Sequence, residues 1–303
     1  MQTINADAFG KVRKLADAAR APFLSASLVP AIGAGALAFG LGNASLAPFA
    51  LALAAVGLAH VGTNMSNDYY DYIYGNYPLE KTGPTGGSFA IQAGAYAKED
   101  VLRISNAAFI AAAAIFAYLG LAVSPLVAAI GFAGILVGFF YTAPPFRLGY
   151  NMLGEIATFL GMGPLLAGAV FIAAYGAFSP LVLPMSAFFG FIVLNVLLAA
   201  QVPDIGIDKA SGKKTISSMW GAGALQIAYG MSCLAALASL AAFSAMSGMA
   251  YMMLAALPYA YFALPALKGA KSGSASPIML SVNAVNYSGA ALIALMIAAR
   301  FAA

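Results

Sequence analysis

The sequence predicts an all-α, polytopic membrane protein: nine transmembrane helices in one bundle. Only 8% of its 303 residues are charged and 62% are hydrophobic, whereas a soluble domain carries about 25% charged residues. Apolar runs of roughly 20 residues, long enough to cross a bilayer, recur along the whole chain. Basic residues crowd into alternate connections, and the intervening connections carry no charge.

The runs fall at 21–42, 46–72, 98–122, 124–143, 151–175, 180–203, 222–246, 249–268 and 278–300, broken by Gly, Pro, Ser or charge clusters. The first follows "NADAFGKVRKLADAARAPF", which reads as an amphipathic segment over 1–20 lying on the membrane surface. The second, "LAPFALALAAVGLAHVGT", runs into the polar stretch "NMSNDYYDY". Lys98 and Arg103 begin the third, and a short uncharged connection separates it from the fourth. "YTAPPFRLGY" lies between the fourth and fifth, and "NVLLAAQVPDIGIDKASGKKT" closes the sixth. Cys233, the single cysteine, lies inside the seventh and reads as an inert core residue with no disulfide framework around it. The helix centres read as apolar throughout. The polar N-terminus predicts no cleavable signal peptide, and 1–303 reads as one domain.

Lys81, Arg147, Lys209, Lys213, Lys214, Lys268 and Lys271 occupy the even-numbered connections, with further bases in the N-terminal arm. The positive-inside rule therefore places the N-terminus in the cytoplasm and the C-terminus outside a cell membrane. Asp68, Asp71, Glu80, Asp204 and Asp208 map to the same cytoplasmic helix ends. Carboxylates contribute little to topology, so their one-sidedness points to chemistry at that face. A transporter is the rival class, and it predicts polar residues and broken helices near mid-membrane.

Residues at i, i+3 and i+7 share one helix face. Asn64, Asn67 and Asp71 have that spacing, with Asp68 on the same stripe, and Gln201, Asp204 and Asp208 repeat it four spans later. The repetition hints at an internal duplication of the helix pairs ending at 72 and 208. Facing carboxylates pack closely only when a cation neutralises them. Hard oxygen ligands suit Mg²⁺, which bridges to substrate phosphates. Lys81, Arg147, Lys209, Lys213 and Lys214 follow in the loops, with many glycines able to bring backbone amides to an anion. No Walker or Rossmann fingerprint is present. The expected ligand is a metal-bridged diphosphate, and no nucleic-acid partner is expected.

At these residues the chain resembles the UbiA superfamily of intramembrane prenyltransferases. Asn67, Asp68 and Asp71 match its N-D-x-x-D motif. Asp204, Asp208, Gly212, Lys213 and Thr215 match the second, D-x-x-x-D followed by G-K-x-T. Tyr141, Thr142, Pro144, Pro145, Arg147 and Leu148 match the Y-[ST]-x-P-P-x-R-L loop, and Arg20 with Pro22 stands where the family often has Arg-Pro. Asn64, the following Gly83-Pro84, and "LGE" at 153–155 resemble the menaquinone branch, which prenylates 1,4-dihydroxy-2-naphthoate. The likeness covers about residues 20–221, and the last three spans match in hydropathy alone. Gly86 and Gly87, Asn151 and Pro203 stand where that branch usually carries Arg.

The resemblance implies an enzyme that moves a polyprenyl group, geranylgeranyl or longer, from its diphosphate to a small lipophilic, aromatic acceptor within the bilayer. It implies two Mg²⁺ ions, one on Asn67 and Asp71 and one on Asp204 and Asp208, with Asn64 and Asp68 supporting. Arg20, Lys81, Arg147, Lys209 and Lys213 would stabilise the departing diphosphate. Tyr69, Tyr70, Tyr72 and Tyr141 offer ring faces to an allylic cation, and Gln201 joins the substrate-binding set. His60, the one histidine, falls a turn deeper than Asn64 and reads as a satisfied polar residue that could otherwise take a phenolic proton. Transfer to a glycerol phosphate lipid is the rival within enzymes, and it would ask for more bases than the chain supplies.

Overall fold

The computed structural model describes residues 15–42, 44–77, 87–270 and 276–302. Lys81, Gly83, Pro84, Gly86 and most of the expected N-terminal amphipathic segment lie outside the described residues. So do Glu80 and Lys271.

Nine apolar helices are present among the described residues, eight of them long enough to cross a membrane. They are α1 (Ser25–Gly40), α2 (Leu46–Ile73), α3 (Lys98–Ala122), α4 (Pro125–Phe139), α5 (Gly154–Tyr175), α6 (Val182–Gln201), α8 (Ile216–Ser247), α9 (Ala256–Gly269) and α10 (Ser276–Ala302). Counted with the 3₁₀ turns that precede them, the spans of α1 and α9 run over Ala21–Gly40 and Ala250–Gly269, which leaves α4 as the shorter one. A six-residue helix, α7 (Ile205–Ala210), follows α6. A 3₁₀ turn over Ala250–Ala255 leads into α9.

Lipid supplies no hydrophobic drive between helices, so small residues that admit close packing set the contacts. α1 buries Ala31, Ala34 and Ala38 and packs on the second half of α5 and on α10. Gly163 and Gly190 let α5 and α6 approach backbone to backbone. A Cβ at 163 would stand 2.6 Å from the Ser186 carbonyl oxygen and 2.8 Å from the Gly190 Cα. Gly163 lies in a π turn over Gly161–Leu165, where Pro164 removes a backbone donor.

Three local expectations are revised. Gln201, Asp204 and Asp208 do not share one continuous helix: α6 ends at Gln201, and Asp204 caps the separate α7. Pro203 lies between them, without the N–H that helix continuation needs. The seventh span begins earlier than expected, at Ile216. Thr215 and Ser218 close a capping box there, each side chain accepting the other's backbone N–H. Gly221, at φ +82°, then breaks the ladder, so the run from 222 onward is the straight part of the span. The helix centres are also less purely apolar than they read. Asn195 of α6 is buried and donates through Nδ2 to the Tyr259 hydroxyl of α9 at 2.8 Å.

Candidate active site

α1 to α6 enclose a cavity of about 280 Å³. Its deep walls are apolar, with Val56, Phe116, Ile130, Leu166 and Val196 among them. Its polar end lies where α2 and α6 terminate, so the two acidic clusters meet although 132 residues separate Asn76 from Asp208, which are hydrogen-bonded to one another.

Arg20, Asn64, Asn67, Asp71, Tyr141, Gln201, Asp204, Asp208 and Lys213 all line this cavity. On the α2 wall, the Asn67 Oδ1 accepts from the Thr142 hydroxyl at 2.9 Å. Asp71 Oδ1 accepts from the Tyr150 hydroxyl at 2.6 Å. Asn64 donates to the Ala19 carbonyl at 2.9 Å, which ties the chain before α1 to α2. On the opposite wall, Asp208 accepts from Asn76 Nδ2 at 3.0 Å and from the Thr215 hydroxyl at 3.2 Å. Lys213 Nζ lies 3.7 Å from its Oδ1. Gln201 donates to Glu155 at 2.8 Å, bringing in the acid of the "LGE" stretch.

Six residues expected at the site, Asp68, Tyr69, Tyr70, Tyr72, Arg147 and Lys209, stand apart from the main cavity. Asp68 pairs with Arg20 and accepts the Ser88 N–H at 3.2 Å, and it lines a smaller cavity of about 60 Å³ beside the first. Arg147 stacks over the Tyr74 ring at 3.7 Å and the Tyr150 ring at 4.5 Å. Tyr70 stacks among Tyr69 and Tyr74. Lys209 is exposed. The arrangement also includes Tyr150, Asn76, Thr142 and Glu155 as hydrogen-bond partners of the clusters. Periodicity could not single them out, because they sit in connections or at a helix start and meet the acids only across the fold.

The charges are incompletely matched. Burial, and then the neighbouring Asp208 carboxylate, push the Asp204 carboxyl up to about 6. Burial works to lower Lys213, yet Asp71 and Asp208 hold it above its ordinary value. Burial and Asp71 raise the Tyr150 phenol, and burial pushes Tyr141 up to about 12. Both phenols therefore stay protonated, and Tyr150 donates to Asp71. The Asp204 carboxylate makes no hydrogen bond to the described residues. An unpaired, up-shifted carboxylate facing Asp71 and Asn67 across a cavity is a donor set suited to a hard cation. Among the described residues no three Asp, Glu, His or Cys side chains form a closed metal cluster. An open, two-walled set fits Mg²⁺, which keeps waters and shares ligands with phosphates. Arg20 Nε is buried without a partner, leaving a donor for an anion at the same end.

A 1,4-dihydroxy-2-naphthoate octaprenyltransferase of Bacillus subtilis (strain 168) is 26% identical over 198 residues, 65% of this chain and 63% of that one. The alignment thus spans less than two thirds of that relative's length. An Escherichia coli (strain K12) protein of the same description is 28% identical over 174 residues, 55% of each chain. A UbiA homologue from Archaeoglobus fulgidus, solved bound to DMAPP and Mg²⁺, superposes with a TM-score of 0.70 over 96% of this chain and 100% of that one. At 18% identity this likeness speaks for the fold. The UbiA prenyltransferase family model matches residues 27–298, which extends the resemblance through the last three spans. The chain therefore belongs to the UbiA prenyltransferase family.

Proposed function

We propose that the protein transfers a polyprenyl group, geranylgeranyl or longer, from its diphosphate to a lipophilic aromatic acceptor of the naphthoate type. The observation that carries this reading is one chamber with facing carboxylates and cations at its mouth and an apolar interior below. The names of the Bacillus and Escherichia relatives support the acceptor class, and the ligands of the Archaeoglobus protein support the donor and the metal.

Asn67 and Asp71 on one wall, and Asp204 and Asp208 on the other, would hold Mg²⁺. Bound there, Mg²⁺ neutralises the diphosphate and makes it a better leaving group. Arg20 and Lys213 take further diphosphate oxygens, and their charge stabilises the negative charge that grows as the C–O bond breaks. Tyr150 orients Asp71, and Thr142 orients Asn67. The Tyr141 ring lines the chamber and offers its face to the allylic cation. The hydrocarbon walls hold the isoprenoid and keep out water that would quench that cation. Arg147 acts by fixing Tyr74 and Tyr150, and exposed Lys209 takes no part. The site belongs on the cytoplasmic side of a cell membrane, with the N-terminus on that side, because the basic connections lie there.

Purified protein incubated with Mg²⁺, geranylgeranyl diphosphate and a set of acceptors tests the proposal by mass spectrometry. The set holds 1,4-dihydroxy-2-naphthoate, 4-hydroxybenzoate and a glycerol phosphate lipid. A prenylated naphthoate is the expected product. Prenylation of the glycerol phosphate lipid alone, or of none of them, refutes it.

A further inference from the structure

We propose that His60 selects the acceptor: its Nε2 takes a hydroxyl on the acceptor's aromatic ring. The proposal rests on the aromatic-acceptor reading above and names the contact that would enforce it.

His60 lines the cavity and is only 7% exposed. Its Nδ1 lies 2.6 Å from the hydroxyl of Ser27 on α1, itself 1% exposed. That contact fixes the ring and leaves Nε2 as its open valence, with no hydrogen bond to the described residues. A helix advances about 1.5 Å per residue, so His60 stands about 10 Å below Asn67 and about 16 Å below Asp71. This is deeper than a diphosphate held at the mouth reaches. His60 is the deepest polar side chain that α2 gives to the cavity; Val56, one turn further, is apolar. The other hydroxyls at this level are engaged, Thr63 with the Ala59 carbonyl at 2.9 Å and Ser27 with the Leu24 carbonyl at 3.0 Å.

An isoprenoid chain has nothing to offer that nitrogen, and a polar atom left unpaired among apolar walls is costly. The Ser27 hydroxyl gives its proton to the Leu24 carbonyl, so it accepts from the Nδ1–H, and Nε2 carries the lone pair of the ring. A hydroxyl can donate to that lone pair, whereas a carboxylate or phosphate oxygen only accepts and leaves it unpaired. The position therefore favours a ring bearing a free O–H over an anionic lipid headgroup.

The test uses calorimetric binding of 1,4-dihydroxy-2-naphthoate and of 2-naphthoate, which lacks both hydroxyls, to the full chain in detergent. Wild type is expected to prefer the hydroxylated ring about tenfold, the worth of one buried hydrogen bond. His60→Phe is expected to shrink that preference to within about twofold. Mg²⁺-dependent binding of geranylgeranyl diphosphate, unchanged, shows that the variant is folded. His60→Gln, which restores a polar atom, should recover most of the preference. Ser27→Ala, which removes the clamp and keeps the imidazole, should weaken it about threefold. A preference that survives in His60→Phe, or is missing from wild type, overturns the proposal. Should the preference track His60 while no naphthoate is prenylated, the proposed activity falls and this contact stands.

Discussion

Tyr150→Phe isolates the support given to one wall of the site. The substitution removes one oxygen and nothing else. The Tyr150 ring is 2% exposed and is held by Arg147 at 4.5 Å and Lys213 at 5.1 Å, so a phenylalanine ring fits the same place. What is lost is the 2.6 Å hydrogen bond to Asp71 Oδ1. A hydrogen bond to a charged group contributes about 1.5–3 kcal/mol, which corresponds to roughly 10- to 150-fold in an equilibrium constant. Partners that orient metal ligands cost a similar 10–100-fold in metal affinity when removed. Diphosphate release measured across a Mg²⁺ titration should therefore show half-saturation moved up by about 10- to 100-fold. The rate at saturating Mg²⁺ should stay near that of wild type, because the carboxylate itself remains. An unchanged half-saturation, or a rate lost at every Mg²⁺ concentration, refutes the role given to the Tyr150 hydroxyl.

Other outcomes follow from the same geometry. Asp71→Ala and Asp208→Ala should each lower Mg²⁺-dependent diphosphate release by more than ~100-fold, beyond the loss of a supporting partner. Lys209→Ala, at an exposed position, should stay within about twofold in the same assay, in line with ordinary surface substitutions. The Asp204 carboxyl rises from 3.8 to about 6 on folding, so the folded state holds its proton more tightly. Its stability contribution is then full below pH 3.8 and is lost as pH climbs through about 6. At about 1.4 kcal/mol per unit the loss is at most about 3 kcal/mol. Thermal unfolding of metal-free protein between pH 4 and 7 should show wild type falling relative to Asp204→Asn, and Mg²⁺ should narrow the gap. Gly163→Ala should destabilise by about 1–3 kcal/mol, because its Cβ meets rigid backbone on α6. Gly57→Ala, with open space around its Cβ, should be neutral or slightly stabilising in the same thermal measurement.

The sequence by itself determined the class, the number of apolar helices and the two acidic clusters. Each is written locally: a hydrocarbon run, a 3.6-residue period, a charge at a helix end. α2 and α3 match their runs almost to the residue, because each run is long enough to span a bilayer and is bounded in the sequence by Gly, Ser or Pro. Tertiary structure decided which of the charged residues face the chamber. Lys213 and Lys209 lie four positions apart in one connection between spans, yet Lys213 turns inward beside Asp208 and Lys209, on α7, faces out. Asp68 and Asp71 share a helix face, but Arg20 captures the first and Tyr150 the second. The break after Gln201 is the same kind of decision, since Pro203 prevents one rod from carrying all three polar groups of its cluster. Tyr150, Asn76, Glu155 and the Ser27 clamp on His60 were not marked by any spacing. Their partners lie 33 to 132 residues away, and only the packing of α1 to α6 brings donor and acceptor within the ~3 Å over which a hydrogen bond acts.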